Sequence, residues 1–290
     1  MKASYLSRKL TARVTAVLMA LLLLAQPMPA ATPGVSFPPP HSTIFISRDQ
    51  DVELGKQAAQ QARQQLPVLS DSDPIAQYIR RLGQSMVQYV PEPRYPYEFH
   101  VVNDKSINAF ALPGGPVCVN RGALQAAGTE SQLAGVLAHE IAHISQRHAA
   151  QQLSNAMVTN LGLSLLGALL GNSGGATAAN IAARYVASGA FLKFSRDDER
   201  EADRVGAGIM ARAGWDPHGM IELMETIREQ ERRDPGSVEV FFSNHPSPTD
   251  RVALLARVVP KARSGKRDSA EFQSVRARLK KLPPARPMSR

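Results

Sequence analysis

The sequence predicts a mainly helical α+β domain with one small β-sheet. Three observations predict it. Long stretches with apolar residues at three- and four-residue spacing dominate the chain. The few alternating, β-branched and aromatic stretches fall together between residues 97 and 120. A composition of 43% hydrophobic and 20% charged residues over 290 positions belongs to a chain able to bury a core.

The N-terminus is a separate element. Lys2, Arg8, Lys9 and Arg13 precede the apolar run Val14 to Ala25, and "QPMPAAT" follows. A basic region, a short apolar region and small residues make a secretory signal over residues 1–31, with cleavage near Ala30 or Ala31. A retained anchor helix is the alternative. A lipid anchor needs a cysteine just after the apolar run, but the single cysteine is Cys118, which also excludes an internal disulfide.

Residues 32–47 form a Pro-rich linker. Two helical stretches follow, Asp51 to Leu66 and Pro74 to Val90, the second opened by Asp73 as N-cap before a proline at the first position. "YEFHVVN" reads as a strand, and "NAFALPGGPVCVN" as two extended pieces about a Pro-Gly-Gly-Pro turn. The first piece is either half of an ordinary hairpin or an edge strand that receives a substrate backbone. Thr129 and Gln132 suit a capping box for a helix running through His148. Residues 150–192 read as two apolar helices about the joint "GNSGGA", either core or a mobile flap, and Leu161 to Leu170 is too short to cross a bilayer. Helices over 195–213 and 220–232 precede the loop "SNHPSPTDR", which leads into Arg251 to Val258. A folded domain over 48–258 is thus expected, with 259–290 as a basic tail.

The formal charge is +9, with four of the bases in the leader and many others in "KARSGKR" and "RARLKK" near the end. Without interleaved aromatics this is a poor nucleic-acid surface. A solvated tail, with at most peripheral contact to anionic lipid, is the better reading.

The chemistry concentrates in "LAHEIAHI". On a helix, residues four apart lie about 40° apart on one face, so His139 and His143 can reach one Zn²⁺ together. Glu140 lies about 100° round, placed to act on water as a general base; this is the H-E-x-x-H arrangement. Gln146 and Ala149 stand where the extended motif with a third histidine needs Gly and His. His148 is out of register and is expected to be a solvated residue at the helix end. The third ligand must therefore come from elsewhere.

"SRDDEREADRVGAGIMARAG" supplies it. On a helical wheel started at Glu199, residues Ala202, Asp203, Gly206, Ile209 and Met210 share its side, whereas Arg200, Glu201, Arg204 and Arg212 lie opposite. Two carboxylates in an apolar stripe are costly unless compensated. Glu199 is the expected third ligand, and Asp203 the acceptor of a ring N–H from a metal histidine. Glu201 is expected on the wet face. Three protein ligands leave a fourth position open, which marks a catalytic rather than a structural zinc, one ion per chain. Zinc and Glu140 together suit peptide-bond hydrolysis. His245 is a further candidate, either stabilising the oxyanion or filling the open position at rest, with Arg251 six residues on. His41, His100 and His218 have no partners at useful spacing.

"LAHEIAHISQRH", "SRDDEREADRVG", "NAFALPGG" and "NHPSPTDR", in this order, resemble the peptidase family of HtpX and the CAAX prenyl proteases, nearest its exported, BepA- and LoiP-like branch. The resemblance covers about residues 48–258. It implies a zincin fold of gluzincin type with a small sheet beside the H-E-x-x-H helix, zinc on His139, His143 and Glu199, and Glu140 as the catalytic group. It further implies quality control of misfolded or misassembled envelope proteins, including outer-membrane β-barrels, with the outer-membrane assembly machinery as a possible partner. The alternative is a mostly latent protease serving as chaperone or assembly factor. The chain ends near residue 290, leaving no room for a tetratricopeptide-repeat domain, and it lacks the membrane helices of HtpX, so a periplasmic location is expected.

Overall fold

Ser47 opens the first helix, α1 (Arg48–Gln65), through a reciprocal capping box with Gln50. The computed structural model describes residues 44, 46–91, 94–156, 194–245 and 248–284. The leader, nearly all of the linker and all but residues 150–156 of the 150–192 stretch lie outside the described residues. Asp73 caps α2 (Pro74–Val87) by accepting the Ile75 N–H at 2.7 Å, with Pro74 at the first position as expected. Ile75, Ile79, Leu82 and Met86 form its buried stripe against the sheet.

The sheet has three strands, β1 (Glu98–Val102), β2 (Ala109–Ala111) and β3 (Pro116–Asn120), in the order β1-β3-β2. β1 runs parallel to β3, and β2 and β3 form the antiparallel hairpin, with Phe110 opposite Cys118. The turn between them needs its two glycines, since Gly114 has φ +68° and Gly115 φ +143°. β2 is one of the two edge strands. Its links to β3 run through Asn108, Phe110 and Leu112, so the backbone groups of Ala109 and Ala111 face the other way.

After the short α3 (Arg121–Ala126), α4 (Glu130–Ser145) carries the two motif histidines and is buried on every side. Its one buried acid at the start, Glu130, accepts a hydrogen bond from Tyr78 Oη at 2.8 Å and forms an ion pair with Lys266 Nζ at 3.0 Å. Thr129 caps α4, but Gln132 reaches back to the Gly128 N–H at 2.6 Å instead of closing a full box. The helix also ends earlier than expected. Arg147 adopts φ +61° and breaks it before His148, where α5 (His148–Ala156) begins. That left-handed residue is held by Asp51, 3.2 Å from Arg147 Nε and itself bonded to Tyr95 Oη at 3.0 Å.

α6 (Arg196–Arg212) lies along α4, and α7 (His218–Arg233) covers the neighbouring face. Gly206 makes the first contact close: a Cβ there would sit 3.1 Å from the Ala138 carbonyl oxygen. A short helix, α8 (Glu239–Asn244), runs into the expected loop with His245 as its C-cap, and α9 (Pro248–Val258) begins within that loop, ahead of the expected start at Arg251. The basic tail is a second departure. It contains α10 (Ala270–Lys281), with Phe272, Val275 and Leu279 buried and the Phe272 ring 6.4 Å from that of Tyr78 on α2. The folded domain therefore extends well past residue 258, with the bases on the outer face of α10.

Candidate metal centre

One turn of α4 separates His139 from His143, and both rings turn their Nε2 atoms to the same point, 3.0 Å apart. Glu199 enters from the first turn of α6, where Ser195 and Asp198 form a reciprocal capping box. Its carboxylate lies 3.5 Å from His139 Nε2 and 3.4 Å from His143 Nε2. Ligand atoms held about 2.0–2.1 Å from a tetrahedral zinc lie about 3.3 Å from each other. The three donors therefore have the spacing of one zinc coordination shell, and two imidazoles with a carboxylate are the chemistry zinc accepts.

His245 completes a fully buried quartet: one donor atom from each of His139, His143, Glu199 and His245 lies within 4.8 Å of the others. Its Nδ1 is 2.9 Å from Glu199 Oε1, and its Nε2 lies 3.4 Å from the Ala109 carbonyl, on the outward edge of β2. Glu140 stands beside this quartet without joining it. Its Oε1 is 3.8 Å from His245 Nε2, and its Oε2 is buried without a hydrogen-bond partner. Burial raises the Glu140 pKa above the ordinary carboxylate value.

A layer of charge stands behind the donors. Asp203 Oδ1 accepts from His139 Nδ1 at 3.1 Å, which leaves His139 Nε2 free for a metal. Arg251 grips the same carboxylate with a two-pronged contact, Nε on Oδ2 at 2.8 Å and Nη2 on Oδ1 at 2.7 Å. Its Nη1 is 2.7 Å from Glu199 Oε2 but out of hydrogen-bond alignment, so both atoms remain without a hydrogen-bond partner. Burial alone would raise the pKa of Glu199, yet His245 and Arg251 hold it well below the usual carboxylate range. The ionised Glu199 carboxylate sets Oε2 3.5 Å from His139 Nε2 and Oε1 3.4 Å from His143 Nε2, and with Oε2 lacking a hydrogen-bond partner this is a donor set that a metal ion would complete.

His148 and Glu201 depart from their expected places. His148 is fully buried, with its Nδ1 2.8 Å from His143 Nδ1, because the break at Arg147 turns the chain back under the metal helix. Glu201 is not on a wet face: its side chain is 13% exposed and its Oε2 lies 3.3 Å from His148 Nε2. Phe194 was not singled out by any motif, yet its ring stacks on His143 at 3.9 Å between centroids. The depth of Arg251 was likewise legible only as proximity to His245 in sequence. His100 and His218 stay out of the cluster, paired with Glu98 and Asp216.

The protonation of the donors predicts a pH dependence. Burial and Arg251 act to lower the His139 pKa, but hydrogen bonds to Asp203 and Glu199 outweigh them and push it up to about 9. Burial and the neighbouring His139 hold His143 well below its ordinary value. Metal must therefore displace one proton from His139 at neutral pH. Zinc affinity should rise about tenfold per pH unit from about pH 6 and level off near pH 9. Competition with a chelator across that range checks this, and a flat profile contradicts it.

Residues 75–259 match peptidase family M48. The chain is 31% identical over 255 residues to the beta-barrel assembly-enhancing protease of Escherichia coli K12, covering 85% of this chain and 52% of that protein. Its identity to the protein of that name from Yersinia pestis is 33% over 215 residues, covering 72% of this chain and 43% of the relative. A mitochondrial metalloendopeptidase of Saccharomyces cerevisiae is 39% identical over 173 residues, 57% of this chain and 48% of the relative. The chain thus spans about half the length of these curated relatives. The matched region contains all four members of the buried quartet, Glu140 between the two motif histidines, and the helices that position them. The chain belongs to peptidase family M48, with a mainly helical, zincin-like fold and a His-His-Glu-His cluster that fits a zinc site.

Proposed function

We propose that this protein is a periplasmic zinc-dependent endopeptidase that hydrolyses misfolded or misassembled envelope proteins, outer-membrane proteins among them. The observation that carries the reading is the placement of Glu140, a buried carboxylate with an unpartnered oxygen, beside three donors at zinc spacing. His139, His143 and Glu199 would hold the ion. Bound there, zinc supplies a Lewis acid for the scissile carbonyl and acidifies water. Glu140 accepts the proton of the attacking water and returns it to the amide nitrogen as the C–N bond breaks. Asp203 fixes the His139 ring, and Arg251 keeps Asp203 ionised.

The substrate class is supported by what borders the site. A cleft that touches His139, Glu140 and Asn108 is walled mainly by apolar side chains, including Met220, Leu223, Met224 and Ile227. Apolar side chains suited to such walls are buried in folded proteins and exposed in misfolded ones. The names of the bacterial relatives connect those proteins with assembly of β-barrels, which favours the outer membrane and its assembly machinery as the setting. Export rests on the basic and apolar leader over residues 1–31. No helix among the described residues is long and apolar enough to cross a membrane, in keeping with at most peripheral membrane contact.

His245 favours a second feature, latency. It lies on the free edge of β2, where an added substrate strand would have to pair, and contacts both Glu199 and the Ala109 carbonyl. Its resting place is thus among the metal donors, and substrate must displace it. A mostly latent enzyme that also acts as a chaperone or assembly factor is the corresponding alternative. Cleavage of unfolded casein, with and without a chelator, separates the readings. Wild type should cleave, the chelator should stop it, and His245→Ala should cleave faster. If His245 stabilised the oxyanion instead, the same change would slow cleavage by about 10²–10³-fold. No chelator-sensitive cleavage by either protein would refute the enzyme reading.

A further inference from the structure

His139 and His143 offer the same ring nitrogen to the cluster but are braced differently from behind. The Nδ1 of His139 meets a carboxylate, that of Asp203, at 3.1 Å. The Nδ1 of His143 meets another imidazole, that of His148, at 2.8 Å. A neutral imidazole has one N–H and one acceptor nitrogen. With His143 Nε2 turned toward His139 and Glu199, the His143 proton belongs on Nδ1, so His148 Nδ1 accepts. The His148 proton then lies on Nε2, which faces Glu201 Oε2 at 3.3 Å and Asp198 Oδ1 at 3.9 Å. Each proton has one place, and the direction of the chain is fixed: His143 donates to His148, and His148 donates to Glu201.

We propose that His148, backed by Glu201, is a positioning residue that orients His143 for the metal. The inference rests on the metal reading of the cluster and deepens it. Three observations besides the distances support it. His148 is fully buried, so water does not replace it as an acceptor. It reaches His143 only because Arg147 takes a left-handed conformation, which Asp51 holds in place. The stacked Phe194 ring covers one face of His143 and resists turning of the imidazole about its Cβ–Cγ bond, and the contact with His148 fixes which way the two ring nitrogens face. Glu201, placed outside the apolar stripe by its position on α6, thereby acts on the metal site through two imidazoles.

The test is zinc affinity, measured by competition with a chromophoric chelator, alongside thermal unfolding of the zinc-free protein. His148→Leu fills the space and removes the acceptor; His148→Asn leaves more space but restores an acceptor oxygen. Loss of a partner behind a metal histidine typically costs 10–100-fold in affinity. The proposal predicts a loss of about that size for His148→Leu and recovery of most of it in His148→Asn. A role in packing alone predicts the opposite order, with Asn worse than Leu. Equal affinity of His148→Leu and wild type overturns the proposal. If His148→Leu does not fold, Glu201→Gln decides: affinity about tenfold weaker at an unchanged zinc-free Tm supports the relay, and unchanged affinity overturns it. Wild type that binds no zinc would instead overturn the metal reading itself, so the two failures are distinguishable.

Discussion

Glu140→Gln will abolish peptide hydrolysis while leaving the metal in place. Removal of a general base lowers rates by about 10²–10⁴-fold. Glu140 is not one of the four clustered donors, so zinc content should match wild type. The fold should not suffer, because burial already disfavours the charged carboxylate and a neutral amide of the same shape is cheaper to bury. Initial rates on a quenched peptide and elemental analysis of the same preparation check both halves. A variant with more than a tenth of wild-type activity would remove Glu140 from the chemistry. The inactive variant can also capture substrates in cells, since binding survives when hydrolysis does not.

Arg251→Met should produce the largest loss of stability of any single change at the site. The guanidinium is buried between two ionised carboxylates, Glu199 and Asp203, and removing it leaves both without their cation. Breaking a buried ion pair from one side costs about 3–5 kcal/mol. For a domain of this size each kcal/mol lowers Tm by about 2–4 °C, so zinc-free Arg251→Met should melt roughly 6–20 °C below wild type. Saturating zinc should restore part of the difference, because the ion would neutralise Glu199. A Tm within 2 °C of wild type in the absence of metal would show that Arg251 is not the counter-charge described here.

What could be read from the sequence was whatever follows from fixed helical geometry. His139, Glu140 and His143 lie within one and a half turns of α4, and Glu199 and Asp203 within one turn of α6. Their spacing alone predicts which side chains share a face. The alternation near residues 97–120 marked the strands, and Asp73–Pro74 marked the start of α2. The misjudged residues are those for which a regular element was continued past its end or taken in isolation. His148 was extrapolated along a helix that stops at Ser145, and one left-handed residue, Arg147, changes its direction altogether. Glu201 does point away from the apolar stripe of α6, but a wheel shows no neighbouring helix, and α5 covers that face through His148. The tail was judged by its net charge, which masked the 272–275–279 stripe that buries α10. Arg251 and Phe194 reach the site by long-range packing, which no local pattern encodes.

The central claim is that His139, His143 and Glu199 together hold a catalytic metal ion. Elemental analysis of the purified, folded protein tests it most directly. Wild type should contain about one zinc per chain, as one cluster of this kind requires, and His139→Ala and Glu199→Gln should contain almost none while remaining folded. Zinc retained at full occupancy in both variants, or a well-folded wild type that takes up no metal when zinc is supplied, would contradict it.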